Sequence, residues 1–270
     1  MSSSNATSKP QWQFFRFGLI VTGKGEEAFL PSLFRSLEAT GKCHFEVLRR
    51  IGQRSPITSE KRKLRMTGTG KTIPDRDASE IGLPARRFLT QESTFVVLVD
   101  DLEQDRADAI KDVFDRYRLA LDTMLGVNRH RASVHFFVHM LEAYYFADAQ
   151  AINAVLGTEL NDYEGDVETI PHPKGELKKL ASGFDEVEHG RQIVARLDVP
   201  HVLSTPEDCA SLRTLFGWGS AAIGEQPTDQ YQLVDGHYSE VTKPQIDSLK
   251  REKGRAKGTV NGVSSQWGQS

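Results

Sequence analysis

The chain has 270 residues, of which 38% are hydrophobic and 26% charged, and its net charge is −3. That is ordinary globular composition, long enough for one large domain or for one domain with an appendage. It excludes a globally basic nucleic-acid binder, and no apolar run reaches the length of a membrane span; any basic surface has to be local.

Residues 1–12 are polar, carry no hydrophobic signal core, and read as a disordered leader. A strand is predicted over Phe14–Val21, rich in Phe, Leu, Ile and Val, and ends in the turn Thr22-Gly23-Lys24-Gly25. Helical spacing follows over Glu26–Ala39, with Phe29, Leu30, Leu33, Phe34 and Leu37 on one face. A second strand is predicted over Phe45–Ile51. Gly52–Glu80 has little apolar periodicity. It overlaps a basic stretch with eight Lys and Arg (Arg49, Arg50, Arg54, Lys61, Arg62, Lys63, Arg65, Lys71) against the single acid Glu60. Loops of that length are usually functional or mobile. Next come a helix over Ile81–Leu89, a strand from Phe95 into Asp100, and an amphipathic helix over Asp105–Leu125. A strand at Ala132–Val138 is followed by helices over His139–Ala147 and Ala149–Leu156. Short helices are then predicted at Lys174–Ala181, Gly190–Leu197 and Cys209–Ile223, and residues 226–270 read as a flexible basic tail.

This alternation predicts an α/β fold: a small, mostly parallel sheet of four strands with helices on both faces over residues 13–160, and a helical extension over 161–225 packing on it. Cys43 and Cys209 lack metal-ligand spacing and read as reduced, buried thiols of a cytoplasmic protein.

The chemistry concentrates where strands end. Val96-Val97-Leu98-Val99 runs directly into Asp100-Asp101-Leu102-Glu103. A short β-branched run of this kind is a strand buried on both faces, and its carboxyl end is where open α/β sheets bind ligands. Acids crowded there repel one another, and a divalent cation relieves the repulsion. The bland alternative is an acidic first turn complementing a helix dipole. Glu26 and Glu27 stand after the first strand with the same two readings. Glu142 lies within an otherwise apolar segment, where a carboxylate is costly unless paired or coordinated. Thr67-Gly68-Thr69-Gly70-Lys71-Thr72 resembles a phosphate-binding loop, but the required first glycine is Arg65 and no buried strand precedes it. His135, His139, His172, His189 and His201 show no metal-ligand spacing and read as structural.

Four segments together resemble a bacterial family of uncharacterised TOPRIM-like proteins related to the OLD-type nucleases. They are Ile20-Val21-Thr22-Gly23-Lys24-Gly25-Glu26-Glu27, Leu98-Val99-Asp100-Asp101-Leu102-Glu103, Met140-Leu141-Glu142-Ala143-Tyr144-Tyr145 and Pro171-His172-Pro173-Lys174-Gly175-Glu176-Leu177. The resemblance implies a TOPRIM fold, two-metal phosphodiester chemistry, a link to phage defence and pairing with ABC-type ATPases. It departs from the family pattern at Thr22-Gly23, where Glu-Gly is usual, and at Asp100-Asp101-Leu102-Glu103, where the metal-binding pair is either Asp101 with Glu103 or Asp100 alone.

The leading expectation is a Mg²⁺- or Mn²⁺-dependent nuclease acting on DNA or RNA, an effector of an anti-phage system. Oxygen-only ligands favour those hard cations. Glu26, Asp100, Asp101, Glu103 and Glu142 are the candidate metal ligands. Glu26, Asp100 and Lys174 are the candidate catalytic residues, and the basic stretch is the candidate nucleic-acid grip. A homodimer is a further expectation. The rival expectation is a TOPRIM scaffold that has lost chemistry and docks on an ATPase; a small-substrate phosphatase using the same acids is a third.

Overall fold

A computed structural model describes residues 13–56, 73–103, 106, 109–205 and 208–224. The predicted leader, Lys61, Arg62, Lys63, Arg65, Lys71, the glycine-rich stretch at 67–72 and the predicted tail lie outside the described residues.

The architecture is α/β. Strands β1 (Phe15–Val21), β2 (Cys43–Arg50), β3 (Thr94–Leu102) and β4 (Ala132–Val138) form an all-parallel sheet in the order β2-β1-β3-β4. The central strands β1 and β3 are buried on both faces along most of their length, which is why Leu19-Ile20-Val21 and Val96-Val97-Leu98-Val99 read as unbroken apolar runs. From β1 the chain steps outward to β2, and from β3 it steps outward to β4 on the other side. The connections therefore diverge between β1 and β3, leaving a crevice at the carboxyl ends of these two strands.

Each face of the sheet has its own hydrophobic core. On one, Val96, Leu98 and Leu102 of β3 pack with Ala85 of α4 (Leu83–Phe88) and with Val113, Tyr117 and Leu121 of α5 (Ile110–Leu125). On the other, Val97 and Val99 pack with Phe34 and Phe45, and with Leu177, Ile193, Phe216 and Trp218 from the C-terminal third. Phe17 sits between Phe45 and Phe95 in a stack of rings, with the edge of Trp218 against it. The helices α6 (Ala149–Leu156), α7 (Pro173–Leu180), α8 (Glu188–Val194), α9 (Val199–Val202) and α10 (Ala210–Ala222) thus share one core with the sheet.

Three helical predictions differ in detail. The helix over 26–39 is broken into α1 (Lys24–Phe29), a 3₁₀ segment at Leu30–Phe34 and α2 (Arg35–Glu38); Pro31 lacks the amide hydrogen that a continuous helix needs. The helix before β3 begins earlier, at α3 (Asp75–Asp77), and passes through a π-helical turn at Ala78–Gly82. Apolar spacing missed this start because charge holds it: Asp77 is fully buried between Arg54 and Arg116, at 2.7 Å from each. The segment 141–147 is 3₁₀ rather than α, and it follows two residues with left-handed backbone, His139 (φ 58°) and Met140 (φ 90°).

Candidate functional site

Alternation along β3 separates the two adjacent aspartates. Side chains two apart share a face, so Asp100 follows Val96 and Leu98, and Asp101 follows Val97 and Val99. Their surroundings are opposite in kind.

Asp100 is fully buried and has four hydrogen bonds. Thr22 Oγ1 donates to Oδ1 at 2.8 Å, and Tyr117 donates to Oδ2 at 2.8 Å. The Arg106 guanidinium donates to both oxygens, at 3.2 and 2.6 Å. A fork-on-fork pair of this kind neutralises the carboxylate and uses up its lone pairs. Arg106 also donates to the Asp101 and Arg54 carbonyls, and Tyr117 accepts from the Arg54 amide. Asp100 therefore ties the end of β3 to the start of the 52–56 segment. Asp100, expected as a metal ligand, is held here by protein donors on both oxygens. Thr22, in the place of the expected glutamate, is a donor to Asp100.

Asp101 turns into the other face and meets Glu26, which α1 brings back to the sheet edge. The two carboxyl groups lie within hydrogen-bonding reach of each other. Glu26 is 5% exposed and Asp101 7%, and neither Glu26 Oε2 nor Asp101 Oδ1 has a hydrogen-bond partner. Two ionised carboxylates have no proton between them, so the pair holds either a shared proton or a cation. Gly23 makes this approach feasible. A Cβ there would stand 1.7 Å from Glu26 Oε2, so the glutamate carboxyl rests where any other residue would have a side chain.

Glu142, 4% exposed, approaches from the turn after β4. Burial pushes its pKa up to about 7, with the charges of Glu26 and Glu186 adding to the rise. Burial likewise raises Asp101 well above the usual carboxylate range, helped by the charges of Glu26 and Glu142. Glu26 is also raised, by burial first and then, against its hydrogen bonds, by Glu186 and Asp100. The Tyr145 hydroxyl is fully buried within the field of these acids and has no hydrogen-bond partner. Burial and the surrounding carboxylates hold its pKa well above the ordinary phenol value.

Glu186, unmarked in the sequence, supplies a fourth carboxylate from the loop between α7 and α8. Lys174 of α7 forms an ion pair with it, and the Lys174 charge also acts on Glu142. Beside Lys174 opens a cavity of about 830 Å³, lined by His139, Met140, His172, Lys174, Lys178 and Glu103, among others. Glu103 is exposed and lies on this cavity wall. Among the described residues, no group of three or more His, Cys, Asp or Glu side chains is placed so that it could hold a metal ion. The orphaned oxygens of Glu26 and Asp101, hard donors beside Glu142, do fit a hard cation.

The basic stretch divides. Arg49 is exposed and Arg50 pairs with exposed Glu27 at 2.6 Å, both at the carboxyl end of β2. Arg54 is 3% exposed and locked to Asp77 and Glu80, so its guanidinium is structural, which corrects its place in the expected grip. Sequence reasoning also missed Arg106, Tyr117 and Tyr145 as site residues. In Tyr117 and Tyr145 it is the hydroxyl that matters, and apolar periodicity does not register it.

Fold and site together define an open, parallel α/β protein with a buried acid pair at the crevice between its two central strands. Residues 21–216 match the family described as a domain of unknown function (DUF4276), and the chain belongs to that family. No curated protein matches it, and neither does any solved structure.

Proposed function

We propose that the crevice is a divalent-cation site for phosphodiester hydrolysis on nucleic acid, with Mg²⁺ or Mn²⁺ as the ion. The observation that carries this reading is the Glu26–Asp101 pair: two carboxyls, more than nine-tenths buried, in mutual reach and each with an oxygen that no donor satisfies. Glu26 and Asp101 would hold the ion, with Glu142 as a further ligand. A bound cation there would polarise a phosphoryl oxygen and make water a stronger nucleophile near neutral pH. Lys174 stands between the acids and the cavity and would face the phosphate charge. Asp100, Thr22, Tyr117 and Arg106 hold the end of β3 so that the Asp101 carboxyl stays against Glu26. The resemblance to TOPRIM-like and OLD-type proteins supports the same chemistry and extends it to a role in phage defence beside an ABC-type ATPase.

The test is incubation of the purified protein with plasmid DNA and with RNA, with Mn²⁺ or with EDTA, beside Asp101→Asn. Cleavage that needs the metal and falls at least about 100-fold in the variant is expected. Cleavage that persists in EDTA, or that is equal in Asp101→Asn, would overturn the reading.

A second reading is favoured by the Asp100–Arg106 pair, which leaves one free aspartate at the end of β3 where the resemblance implies two ligands. On that reading the scaffold binds an ATPase and performs no chemistry. Saturable Mn²⁺ binding, lost in Asp101→Asn, would exclude it.

A further inference from the structure

We propose that the cavity beside α7 is a binding site for a phosphate group, and that the Lys174–Glu186 ion pair couples its occupancy to the cation site. The inference rests on the proposed metal reading and adds to it a second site and a rule linking the two.

The cavity has room for a mononucleotide at about 830 Å³. Its basic groups are His172, directly before α7, Lys174 in the first turn, and Lys178 one turn further along in the last. Among the described residues, the acid on its wall is Glu103. Glu26, Asp101 and Glu142 are not on that wall, although Lys174 acts electrostatically on Asp101 and Glu142. Lys174 is thus the boundary between a basic cavity and a buried acid cluster. Burial opposes its charge, and the Glu186 carboxylate, together with Glu142 and Asp101, more than offsets this.

The acids show an unmet need on the far side of that boundary. Glu26 Oε2, Asp101 Oδ1 and the Tyr145 hydroxyl are all buried without partners, and Glu186 acts electrostatically on Glu26, Glu142 and Tyr145. A Cβ on Gly25, in the first turn of α1, would lie 3.7 Å from Glu186 Oε1, which places that carboxylate against the same helix that carries Glu26. With Lys174 bound to it, Glu186 is neutralised and the ligand set stays incomplete. A phosphate in the cavity offers Lys174 a second anion. Drawn toward it, Lys174 releases Glu186, and the fourth carboxylate joins Glu26 and Asp101. Lys174 is thus an internal counter-ion that the external cation replaces, and replacement is easiest when a phosphate takes up the lysine. By linkage, the cation raises phosphate affinity by the same factor. The left-handed backbone at His139 and Met140 belongs to this wall, where such a strained arrangement persists only if its surroundings impose it.

The experiment measures Mn²⁺ binding by the loss of the free-ion EPR signal. The arms are protein alone, with thymidine, with thymidine 5′-monophosphate and with inorganic phosphate, each beside a protein-free control for complexation in solution. We expect the two phosphate-bearing probes to tighten Mn²⁺ binding about tenfold and thymidine to leave it unchanged. Lys174→Met should bind Mn²⁺ more tightly than wild type without any phosphate and should show no further gain with it. Glu186→Gln should bind Mn²⁺ at the weaker wild-type level in all arms. Unfolding midpoints of both variants close to wild type would show that they are folded. A 5′-phosphorylated oligonucleotide tightening binding where its unphosphorylated form does not would assign the phosphate to a chain end; equal tightening by both would assign it to the internal backbone. Mn²⁺ binding that is saturable but indifferent to phosphate would overturn the coupling and leave the metal reading standing. No Mn²⁺ binding in any arm would overturn both.

Discussion

Glu142→Gln gives the sharpest test of the buried acid cluster. The carboxyl is 4% exposed, and its pKa moves from an ordinary 4.5 up to about 7, chiefly through burial. At about 1.4 kcal/mol for each tenfold change, the ionised form is penalised in the folded protein by about 3 kcal/mol. The sign follows from proton binding. Between pH 4.5 and 7 the folded chain holds this proton and the unfolded chain releases it, so stability falls as pH rises through that window. Below it both states are protonated and there is no penalty; above it the penalty is complete. Glutamine keeps the shape and never ionises. In EDTA, the variant should exceed wild type by about 2–3 kcal/mol at about pH 8, and the two should coincide at about pH 4.5. Urea denaturation at the two pH values measures the difference directly. Thermal midpoints should rise by roughly 5–10 °C at the higher pH. Saturating Mn²⁺ should reverse the order, because the ligand that weakens the apo protein is then satisfied. A variant no more stable than wild type at pH 8 in EDTA would refute the account of Glu142 as an acid penalised by burial.

Asp100→Ala leaves the Arg106 guanidinium buried without its partner. It should destabilise by about 3–5 kcal/mol in urea, while Asp101→Asn should cost far less and yet remove Mn²⁺ binding; equal loss of Mn²⁺ binding with intact stability in the Asp100 variant would make Asp100 a ligand after all. His135 is fully buried between Ser133, at 2.6 Å, and Trp218, and burial depresses its pKa to about 3. Its contribution is complete above the unfolded value of 6.5 and is lost as pH falls toward 3, by about 2 kcal/mol at about pH 5. The urea midpoint of His135→Gln should therefore change less between pH 6.5 and 5 than that of wild type, and an identical slope would remove His135 as the cause.

The sheet was legible because burial on both faces writes itself into sequence. Val96-Val97-Leu98-Val99 and Ala132–Val138 are strands by composition, and their ends fall where the acids begin. Glu26 and Asp101 could be named from position alone, since a strand end followed by an acid places that acid at the sheet edge. Which of two adjacent aspartates faces which partner was not legible. Alternation guarantees that Asp100 and Asp101 point to opposite faces, but only the packing of α5 against one of those faces decides that Tyr117 and Arg106 await Asp100. Lys174 lies in a predicted helix, but Glu186 belongs to a polar turn with no pattern of its own, and their meeting depends on α7 and α8 docking on the same core as the sheet. The chain order fixed the strands, the acids and their proximity to the sheet edge, because these follow from local periodicity. Tertiary structure determined the setting of each acid, because a carboxylate becomes a hydrogen-bonded anchor or a buried group lacking donors according to what distant segments bring to it.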